Sequence, residues 1–415
     1  MKMKKAVVFT LGCKVNECES ESLVTGLKER GYEVSDALGY ADLYIVNTCA
    51  VTLEAEKKSR QAVSRIKKYN PNAKVIFTGC ACEKDPQAFA GKDANILVTG
   101  VFDKMKILDA LDKSGADISE STENYEEMCI PSTLKTRAFI KVQDGCNSFC
   151  SYCIIPYLRG RSRSRNPESV VKEIEKLSPK EAIVTGIDLS DYNYNGKDLA
   201  GLMRALCGVD TRIRLGSLEA RVITDDFLAA VKGLKDFAPH FHLSLQSGSN
   251  AVLKKMNRKY TAEEFLSKCD LIRRYFPLAG ITTDVIAGFP TETEGDFADT
   301  LTVIEKARFS DIHPFIYSPR KGTVAYKMQD LPPEIKKDRL KRLLAVKSDL
   351  KTAFAEKMKG EIIRFLPEEF KDGYTEGYSE NYLRLYVKGE LPVGEMVKVK
   401  VCGAYLDGAT AEIID

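Results

Sequence analysis

Histidine and tryptophan are scarce in this sequence of 415 residues, which contains three histidines and no tryptophan. Catalytic zinc sites are commonly built from histidine, so the composition argues against a zinc hydrolase of that kind. No apolar run approaches the roughly 18 residues of a membrane-spanning helix. The apolar run at 6–11 is too short for the core of a secretory signal peptide. These absences predict a cytoplasmic protein without membrane association.

An excess of one charge is also lacking, since 62 lysines and arginines face 59 acidic residues for a net charge of +3. A nucleic-acid surface would therefore depend on local clustering. Segment 135–165 holds seven basic residues and one acidic residue, and 335–359 holds nine and three. An extended chain would present Arg159, Arg161, Arg163 and Arg165 on one side. Both segments are candidates for RNA phosphate contacts, although charge runs more often form solvated surfaces.

The length exceeds what one hydrophobic core usually serves, so several domains are expected. Strand and helix patterns alternate in residues 1–112 and predict a doubly wound parallel α/β sheet. The polar segment 113–136 is interpreted as a linker. Six further strand–helix units in 137–359 predict an open, partial barrel, because a closed eightfold barrel takes about 250 residues. Alternating patterns with frequent glycine predict a small β-barrel at 360–415.

Cysteine is abundant, with twelve in the chain. Cys146, Cys150 and Cys153 follow a predicted strand in a C-x3-C-x2-C arrangement. Three thiolates at this spacing can hold three irons of a [4Fe-4S] cluster and leave the fourth open to a ligand. A zinc knuckle or three core cysteines are the alternatives. Zinc usually takes four ligands, and no histidine or fourth cysteine lies nearby in the sequence.

Three more cysteines, Cys13, Cys49 and Cys80, each stand just beyond the end of a predicted strand of the first sheet. The carboxyl ends of parallel strands share one edge, so these thiols could converge on a second cluster. Alternatively, cysteine simply suits strand ends as a small residue. Cys18 and Cys82 lie near this set as further ligands or as bystanders.

Longer motifs resemble a known family. Residues 144–165 (DGCNSFCSYCIIPYLRGRSRSR), 245–249 (LQSGS) and 283–290 (TDVIAGFP) resemble the radical S-adenosylmethionine methylthiotransferases. Tyr152 matches the aromatic residue that usually precedes the last cysteine of the motif. The resemblance implies a radical-SAM (β/α)6 partial barrel, a C-terminal TRAM-like domain and S-adenosylmethionine as cofactor. It also implies two [4Fe-4S] clusters, one catalytic on Cys146, Cys150 and Cys153, and an auxiliary one on Cys13, Cys49 and Cys80.

The motif at 10–20 (TLGCKVNECES) resembles the branch that acts on N6-threonylcarbamoyladenosine at position 37 of tRNA. This implies radical insertion of a 2-methylthio group at C2 of the adenine in the anticodon stem-loop, with an electron donor such as a flavodoxin or ferredoxin. The same chemistry on N6-isopentenyladenosine 37 or on a ribosomal-protein aspartate is the alternative within the family. An iron–sulfur electron carrier and a zinc-stabilised RNA-binding protein are alternatives of other classes.

Candidate contacts to the cofactor lie where the barrel strands end, because sites of such barrels form there. Besides Tyr152, the candidates are Thr185, Gly186, Ser217, Glu219, Gln246, Ser247 and Asp284. Each could equally be a polar residue that merely finishes a strand.

The predicted C-terminal β-barrel carries six basic and eleven acidic residues in 360–415. Phosphate attraction cannot drive RNA binding there, so we expect contacts by shape and stacking. Its tyrosines are stacking candidates or barrel core: Tyr374, Tyr378, Tyr382, Tyr386 and Tyr405.

Overall fold

The computed structural model describes residues 3–90, 95–119, 122–128 and 136–414. In chain order, these residues form a six-stranded parallel sheet, an open barrel of two four-stranded sheets, and a closed five-stranded barrel. The predicted α/β fold class with a small C-terminal β-barrel is thereby confirmed. Within the described ranges, none of the helices has both the length and the apolar composition of a membrane span.

The N-terminal sheet has the strand order β2-β1-β3-β4-β5-β6, and all its pairings are parallel. Its strands are β1 (Lys5–Thr10), β2 (Glu33–Ser35), β3 (Leu43–Thr48), β4 (Lys74–Gly79), β5 (Ile96–Thr99) and β6 (Gly115–Asp117). Its helices are α1 (Lys14–Glu29), α2 (Leu53–Tyr69), α3 (Cys80–Lys84) and α4 (Gln87–Ala90). A 3-10 helix occupies Lys104–Asp109, where the sequence pattern at 102–111 predicts a longer helix. Strand β6 lies within the segment predicted as a linker and pairs with β5.

Both faces of this sheet are covered, as the doubly wound prediction requires. Every residue of β3 is buried. Ile45 packs in one core with Leu23 of α1, whereas Val46 packs in the other core with Ile66 of α2. Continuous apolar strands are typical of parallel sheets buried on both sides.

The central region is built from repeated strand–helix units. Its strands are β7 (Ala138–Asp144), β8 (Arg163–Ser164), β9 (Glu181–Gly186), β10 (Asn193–Tyr194), β11 (Lys197–Asp198), β12 (Arg212–Leu215), β13 (Ser217–Leu218), β14 (His240–Leu243), β15 (Gly280–Ala287) and β16 (Asp311–Ile316). Its helices are α5 (Ile155–Arg159), α6 (Pro167–Leu177), α7 (Leu199–Ala205), α8 (Asp225–Lys232), α9 (Asn250–Lys255), α10 (Ala262–Tyr275), α11 (Glu294–Ala307) and α12 (Pro333–Lys357).

Six parallel strand positions follow one another around the wall. One sheet has the order β12-β9-β7-β8 and the other β13-β14-β15-β16, with only Gly216 between β12 and β13. Within the described residues β7 and β16 do not pair, so the barrel is open on the side between them. This is the partial barrel that the sequence predicts.

Side-chain caps fix where the outer helices of the barrel begin. Thr261 accepts a hydrogen bond from the backbone of Glu264, whose carboxylate in turn accepts one from the backbone of Thr261. Thr293 and Asp296 form the same arrangement at the start of α11. Each cap of this kind contributes about 1 kcal/mol to helix stability.

The C-terminal barrel closes in the order β17-β18-β19-β21-β20. Its strands are β17 (Ile362–Lys371), β18 (Tyr374–Ser379), β19 (Arg384–Lys388), β20 (Val397–Tyr405) and β21 (Gly408–Ile413). Phe354 and Met358, at the end of the preceding helix α12, pack in its core with Phe365 and Leu385. Closure leaves no unpaired edge strand in this small barrel.

Candidate active site

The loop after β7 carries the C-x3-C-x2-C motif. Cys146, Cys150 and Cys153 all line one cavity of about 160 Å³. The loop is fixed from two sides: the N–H of Cys146 donates to the carbonyl of Gly160 at 3.1 Å, and that of Ser151 donates to Met256 at 3.0 Å. The structure therefore brings these three thiols together.

Polar partners surround the thiols. Arg258 lies with Nη1 3.4 Å from Sγ of Cys150 and 2.7 Å from a carboxylate oxygen of Glu219. Sγ of Cys146 lies 3.6 Å from the carboxylate of Asp188 and accepts from the backbone N–H of Ser148 at 3.4 Å. Hydrogen bonds to sulfur are one of the ways in which a protein tunes an iron–sulfur cluster.

Burial dominates the protonation of this cavity. It raises the pKa of Cys153 to about 12, with the neighbouring Cys150 adding to the effect. It also raises the pKa of Asp188 to about 6, together with the nearby carboxylates of Glu219 and Asp191. Buried thiols of this kind become thiolates when a metal supplies positive charge, so the donor set suits iron.

No three Cys, His, Asp or Glu side chains of the described ranges are grouped as ligands of one metal ion. In a [4Fe-4S] cluster each iron takes only one protein thiolate, so thiols that hold a cluster would lie farther apart than the ligands of a single ion. The arrangement of Cys146, Cys150 and Cys153 around one cavity is compatible with such a cluster.

Four predicted cofactor contacts lie on the same cavity, namely Tyr152, Ser217, Glu219 and Gln246. Gln246 has a left-handed φ of 68°. Its backbone N–H donates to the carbonyl of Asp284 at 2.8 Å. This contact continues the β15 register past the end of β14 and positions Gln246 at the cavity.

The other four predicted contacts are not among the residues that line this cavity. Ser247 is fully buried, with Oγ 3.3 Å from Oγ1 of Thr300. Thr185 is buried as well, and Gly186 packs so closely on Gln143 that an added Cβ would lie 2.8 Å from its Oε1. Asp284 lines a second, larger cavity. Their roles at the cofactor stay predictions.

The second set of cysteines lies at one edge of the N-terminal sheet. A Cβ on Gly12 would lie 2.8 Å from Sγ of Cys49, so only glycine, with its φ of 107°, lets these loops touch. Asn16 donates from Nδ2 to the carbonyls of Leu11 at 2.8 Å and of Thr48 at 3.0 Å. These contacts join the loop before Cys13 to the loop that carries Cys49.

The thiols of this second set influence one another electrostatically. Burial raises the pKa of Cys49 to about 11, and the neighbouring Cys80 and Cys13 contribute to this shift. Cys49 and Cys80 are buried, while Cys13 is exposed. Nearby Cys82 is fully buried and accepts a hydrogen bond from Oγ1 of Thr48 at 3.4 Å.

A buried arginine connects the two cysteine regions. Arg159 donates from Nε to Sγ of Cys80 at 3.3 Å and pairs through Nη1 with Glu19 at 2.8 Å and Asp144 at 3.1 Å. Lys104 and Lys141 complete the pairing of Glu19. Opposite charges at this depth must be paired with one another, because an isolated buried charge is costly.

The expectation that four alternating arginines form one RNA-facing side is wrong. Residues up to Arg159 form the helix α5, and Arg159, Arg163 and Arg165 are all buried. Arg165 is paired with Glu173. The guanidinium groups are drawn inward by buried carboxylates, and only Arg161 of the four is exposed.

Several basic residues of the second segment, in α12, are also paired with carboxylates. Lys336 pairs with Asp330, Arg339 with Glu292, and Arg342 with Glu294. Lys337 and Lys341 are exposed and remain candidates for phosphate contacts.

Three of the tyrosine candidates are engaged by other residues of the protein: Tyr386 is buried, and Tyr378 and Tyr382 are half-buried. Tyr382 stacks on His240 at 4.4 Å and on Tyr378 at 4.5 Å. Tyr405 is 36% exposed and lies 5.8 Å from the ring of Tyr374. Stacking on RNA bases is therefore a prediction for Tyr405 and its neighbour Tyr374.

Sequence reasoning missed Arg258, Asp188 and Glu19. No local pattern distinguishes them from ordinary charged residues. Each reaches the site through a contact over tens of residues, such as that between Arg159 and Glu19. Only the assembled fold brings such side chains together.

Comparison with known proteins identifies the family. The Radical SAM superfamily matches residues 140–304, and the family described as Uncharacterized protein family UPF0004 matches 5–100. The threonylcarbamoyladenosine tRNA methylthiotransferase MtaB of Bacillus subtilis is 38% identical, with 100% of this chain and 98% of that protein aligned. The chain belongs to the radical S-adenosylmethionine methylthiotransferase family. It is thus a radical SAM enzyme, and membership implies a [4Fe-4S] cluster and S-adenosylmethionine.

Other members of this methylthiotransferase family carry another name. The tRNA-2-methylthio-N(6)-dimethylallyladenosine synthase of Thermoanaerobacter pseudethanolicus is 35% identical, with 95% of this chain and 89% of that protein aligned. Among solved structures, the radical S-adenosylmethionine methyltransferase TsrM of Kitasatospora setae gives a TM-score of 0.57 at 14% identity. That match covers 78% of this chain and 74% of TsrM, and it shows a shared fold.

Proposed function

We propose that this enzyme transfers a methylthio group to C2 of N6-threonylcarbamoyladenosine in tRNA. The observation that carries the proposal is the alignment over the full chain with proteins named for that reaction, at 38% identity in Bacillus subtilis. Relatives of the same name from Aquifex aeolicus and Chlamydia pneumoniae are 36% and 37% identical.

The proposal includes two [4Fe-4S] clusters. Cys146, Cys150 and Cys153 would hold the first, since all three line one cavity. Cys13, Cys49 and Cys80 would hold the auxiliary cluster at the edge of the N-terminal sheet. Together with S-adenosylmethionine, the clusters supply the one-electron chemistry that an unactivated C–H bond requires and that side chains lack. A flavodoxin or ferredoxin would deliver the electron.

The residues around the clusters would act by positioning and by charge. Arg258 donates to Cys150 and is itself held by Glu219 at 2.7 Å. Tyr152, Ser217 and Gln246 line the same cavity, where they would contact the cofactor. Arg159 would play the corresponding part for Cys80 in the auxiliary set. These contacts orient the thiolates and offset their negative charge.

Dimethylallyladenosine is the second candidate substrate, because a relative named for it is 35% identical over 95% of the chain. The chemistry at C2 would be the same. The two candidates differ in the group on N6, which is an amino-acid derivative in one and a hydrocarbon in the other.

Nucleoside mass spectrometry of tRNA tests the function. We expect cells that lack the gene to lose 2-methylthio-threonylcarbamoyladenosine and to keep the dimethylallyl counterpart. Wild-type protein should restore the product, and Cys146→Ala and Cys80→Ala should not. Cys402→Ala, in the C-terminal barrel, is the matched control and should restore it. Loss of the dimethylallyl product instead would select the second candidate.

Iron and sulfide analysis tests the cofactor count. Anaerobically reconstituted protein should bind about eight irons, because each cubane cluster contains four. Cys146→Ala and Cys80→Ala should each lower the content to about four, since each cluster rests on its own set of thiolates. About four irons in the wild-type protein would contradict a second cluster.

A further inference from the structure

All three histidines of the chain line one cavity of about 570 Å³ inside the open barrel, where β7, β9, β12, β14, β15 and β16 each contribute lining residues. Ser217 lines both this cavity and the smaller one at Cys146, Cys150 and Cys153. Lys14, which directly follows Cys13, lines it as well. The cavity therefore adjoins both sets of cysteines. We call it the histidine cavity.

Positive charge is in excess around the histidine cavity. A single carboxylate, that of Glu181, accepts from Nε of three arginines: Arg137 at 2.6 Å, Arg212 at 2.7 Å and Arg214 at 2.8 Å. Arg214 is 1% exposed, yet its Nη1 has no hydrogen-bond partner among the described residues. Arg214 lines the cavity, so this guanidinium contributes positive charge beside any ligand held there.

Lys14 adds a further unpaired cation. It makes no hydrogen bond or ion pair within the described ranges, and it lies among the residues that line the cavity. Lys14 is an exposed residue, and Arg137 and Arg214 line the same cavity. A bound carboxylate would offset the mutual repulsion of these cations.

The acidic groups of the histidine cavity, in contrast, already have partners. Asp284 lies 3.2 Å from Nε2 of His242, and Glu368 binds Arg137. Nδ1 of His242 and Nε2 of His240 both contact Oγ1 of Thr282, at 2.9 and 2.8 Å. The lining is therefore net cationic, with hydrogen-bonding groups fixed by the strands among apolar side chains such as Phe139 and Phe315.

We propose that the histidine cavity binds the carboxylate of the N6 substituent of the substrate adenosine, with Lys14 and Arg214 as the specificity-determining residues. The inference rests on the proposed function. A threonylcarbamoyl group ends in a free carboxylate and also carries a hydroxyl, both of which suit this lining. A dimethylallyl group would bury hydrocarbon against Lys14 and leave its charge unpaired. A volume of about 570 Å³ lies in the range of small-molecule pockets.

The test is a double-mutant-type cycle, in which a residue of the protein and a chemical group of the RNA are changed separately and together. Three anticodon stem-loop RNAs would carry threonylcarbamoyladenosine, the same nucleoside with its carboxylate converted to a carboxamide, or unmodified adenosine. Dissociation constants would be measured with the full-length, reconstituted protein. For the wild type we expect the carboxylate RNA to bind about tenfold more tightly than the carboxamide RNA, as for a buried charge pair.

Lys14→Met should weaken the carboxylate RNA about tenfold and leave the carboxamide and unmodified RNAs nearly unchanged. Lys14→Arg should retain the preference for the carboxylate RNA. Lys232→Met is the matched control, because Lys232 is exposed on the outer helix α8. Equal iron content in all variants would show that the change next to Cys13 leaves the auxiliary cluster in place. Arg214→Met should likewise reduce the preference for the carboxylate RNA over the carboxamide RNA.

Two results would overturn the inference: equal affinity of the wild type for carboxylate and carboxamide RNAs, or equal weakening of both by Lys14→Met. A methylthiolation assay with the wild-type enzyme distinguishes failure of this inference from failure of the proposed function. If the enzyme modifies the threonylcarbamoyl RNA without any carboxylate preference, the proposed function stands and the role of the cavity fails. If fully loaded enzyme modifies none of the RNAs, the proposed function fails, while the cycle still reports on the cavity.

Discussion

Arg159 donates from Nε to Sγ of Cys80 at 3.3 Å, from the end of the helix that follows Cys153. The same guanidinium pairs with Glu19 on α1 and with Asp144 at the end of β7. One fully buried side chain therefore contacts both the N-terminal sheet and the loop region of the barrel. The relative placement of the two cysteine sets depends on this charge network as well as on apolar packing.

Arg159→Met should destabilise the protein strongly. It removes one cation from a buried network and leaves Glu19 with lysine partners only. Asp144 keeps Lys141 and, at 3.7 Å, Arg163. Breaking a buried pair on one side costs about 3–5 kcal/mol in the free energy of unfolding. Urea unfolding of the metal-free protein measures this. Arg161→Met, which alters the exposed arginine two residues later, should change stability by about 0.5 kcal/mol or less. Equal effects of the two substitutions would contradict a structural role for the buried network.

Glu181 should make stability depend on acid pH. Burial acts to raise the pKa of Glu181, but Arg214, Arg212 and Arg137 outweigh it and hold the pKa at about 2. The unfolded value is about 4.3, so the carboxylate stabilises the fold fully above that pH and less as the pH falls towards 2. The contribution is on the order of 3 kcal/mol.

Unfolding free energies measured between neutral pH and pH 3 check this expectation. Glu181→Gln should lower stability at neutral pH and flatten the acid dependence. Glu175→Gln, at an exposed position on α6, should leave both unchanged. An unaltered pH profile in Glu181→Gln would show that other carboxyl groups control acid unfolding.

Gly145 should tolerate no side chain. Its φ is 72°, and a Cβ there would lie 2.0 Å from the carbonyl oxygen of Arg161. Gly196 has a similar φ of 85° but nothing within 4 Å of the added atom. Gly196→Ala should therefore cost only the strain of the left-handed backbone, about 1 kcal/mol.

Gly145→Ala should cost a further 1–3 kcal/mol, roughly the penalty for overpacking, because backbone must move. The same movement should displace the loop that carries Cys146 and lower iron incorporation. Thermal unfolding and iron content after reconstitution measure the two effects. Similar results for both glycine variants would show that the contact with Arg161 is readily relieved.

Cys80 and Cys82 should differ in their effect on iron binding, although they are two residues apart. Sγ of Cys80 accepts a hydrogen bond from Arg159, whereas Cys82 is fully buried beside Thr48. Burial raises the pKa of Cys82 to about 12. Cys80→Ala should lose about four irons, the content of one cubane cluster, and Cys82→Ala none. Iron loss in Cys82→Ala would make it a ligand instead.

Local patterns predicted much of the fold. The apolar pattern at 212–215 predicts a strand that is β12, and the patterns at 181–185 and 280–286 predict β9 and β15, which each extend one residue further. Such agreement is expected where apolar residues follow a regular period, because strand and helix periodicities are properties of neighbouring residues. The short strands β2 and β6 escaped prediction because their residues are exposed or half-buried and carry no apolar run.

The two sets of cysteines show what local sequence patterns predict and where topology is needed as well. The spacing of Cys146, Cys150 and Cys153 is local, so the sequence by itself indicated a shared site and, with its neighbouring motifs, the family. The parallel sheet extended the argument to Cys13, Cys49 and Cys80, because strand order predicts which ends meet. That prediction needed topology but no side-chain detail.

Which charges meet was decided by the tertiary structure alone. Arg159 belongs to a run of arginines that resembles an RNA-binding surface in the sequence. It is buried because it pairs with Glu19 and Asp144, which lie 140 and 15 residues away along the chain. Likewise, the histidines of β14 and β16 share a cavity with Lys14 because the fold brings the start of α1 to the inside of the barrel. Periodicity is set by adjacent residues, whereas buried charge pairing depends on distant segments that only the completed fold brings into contact.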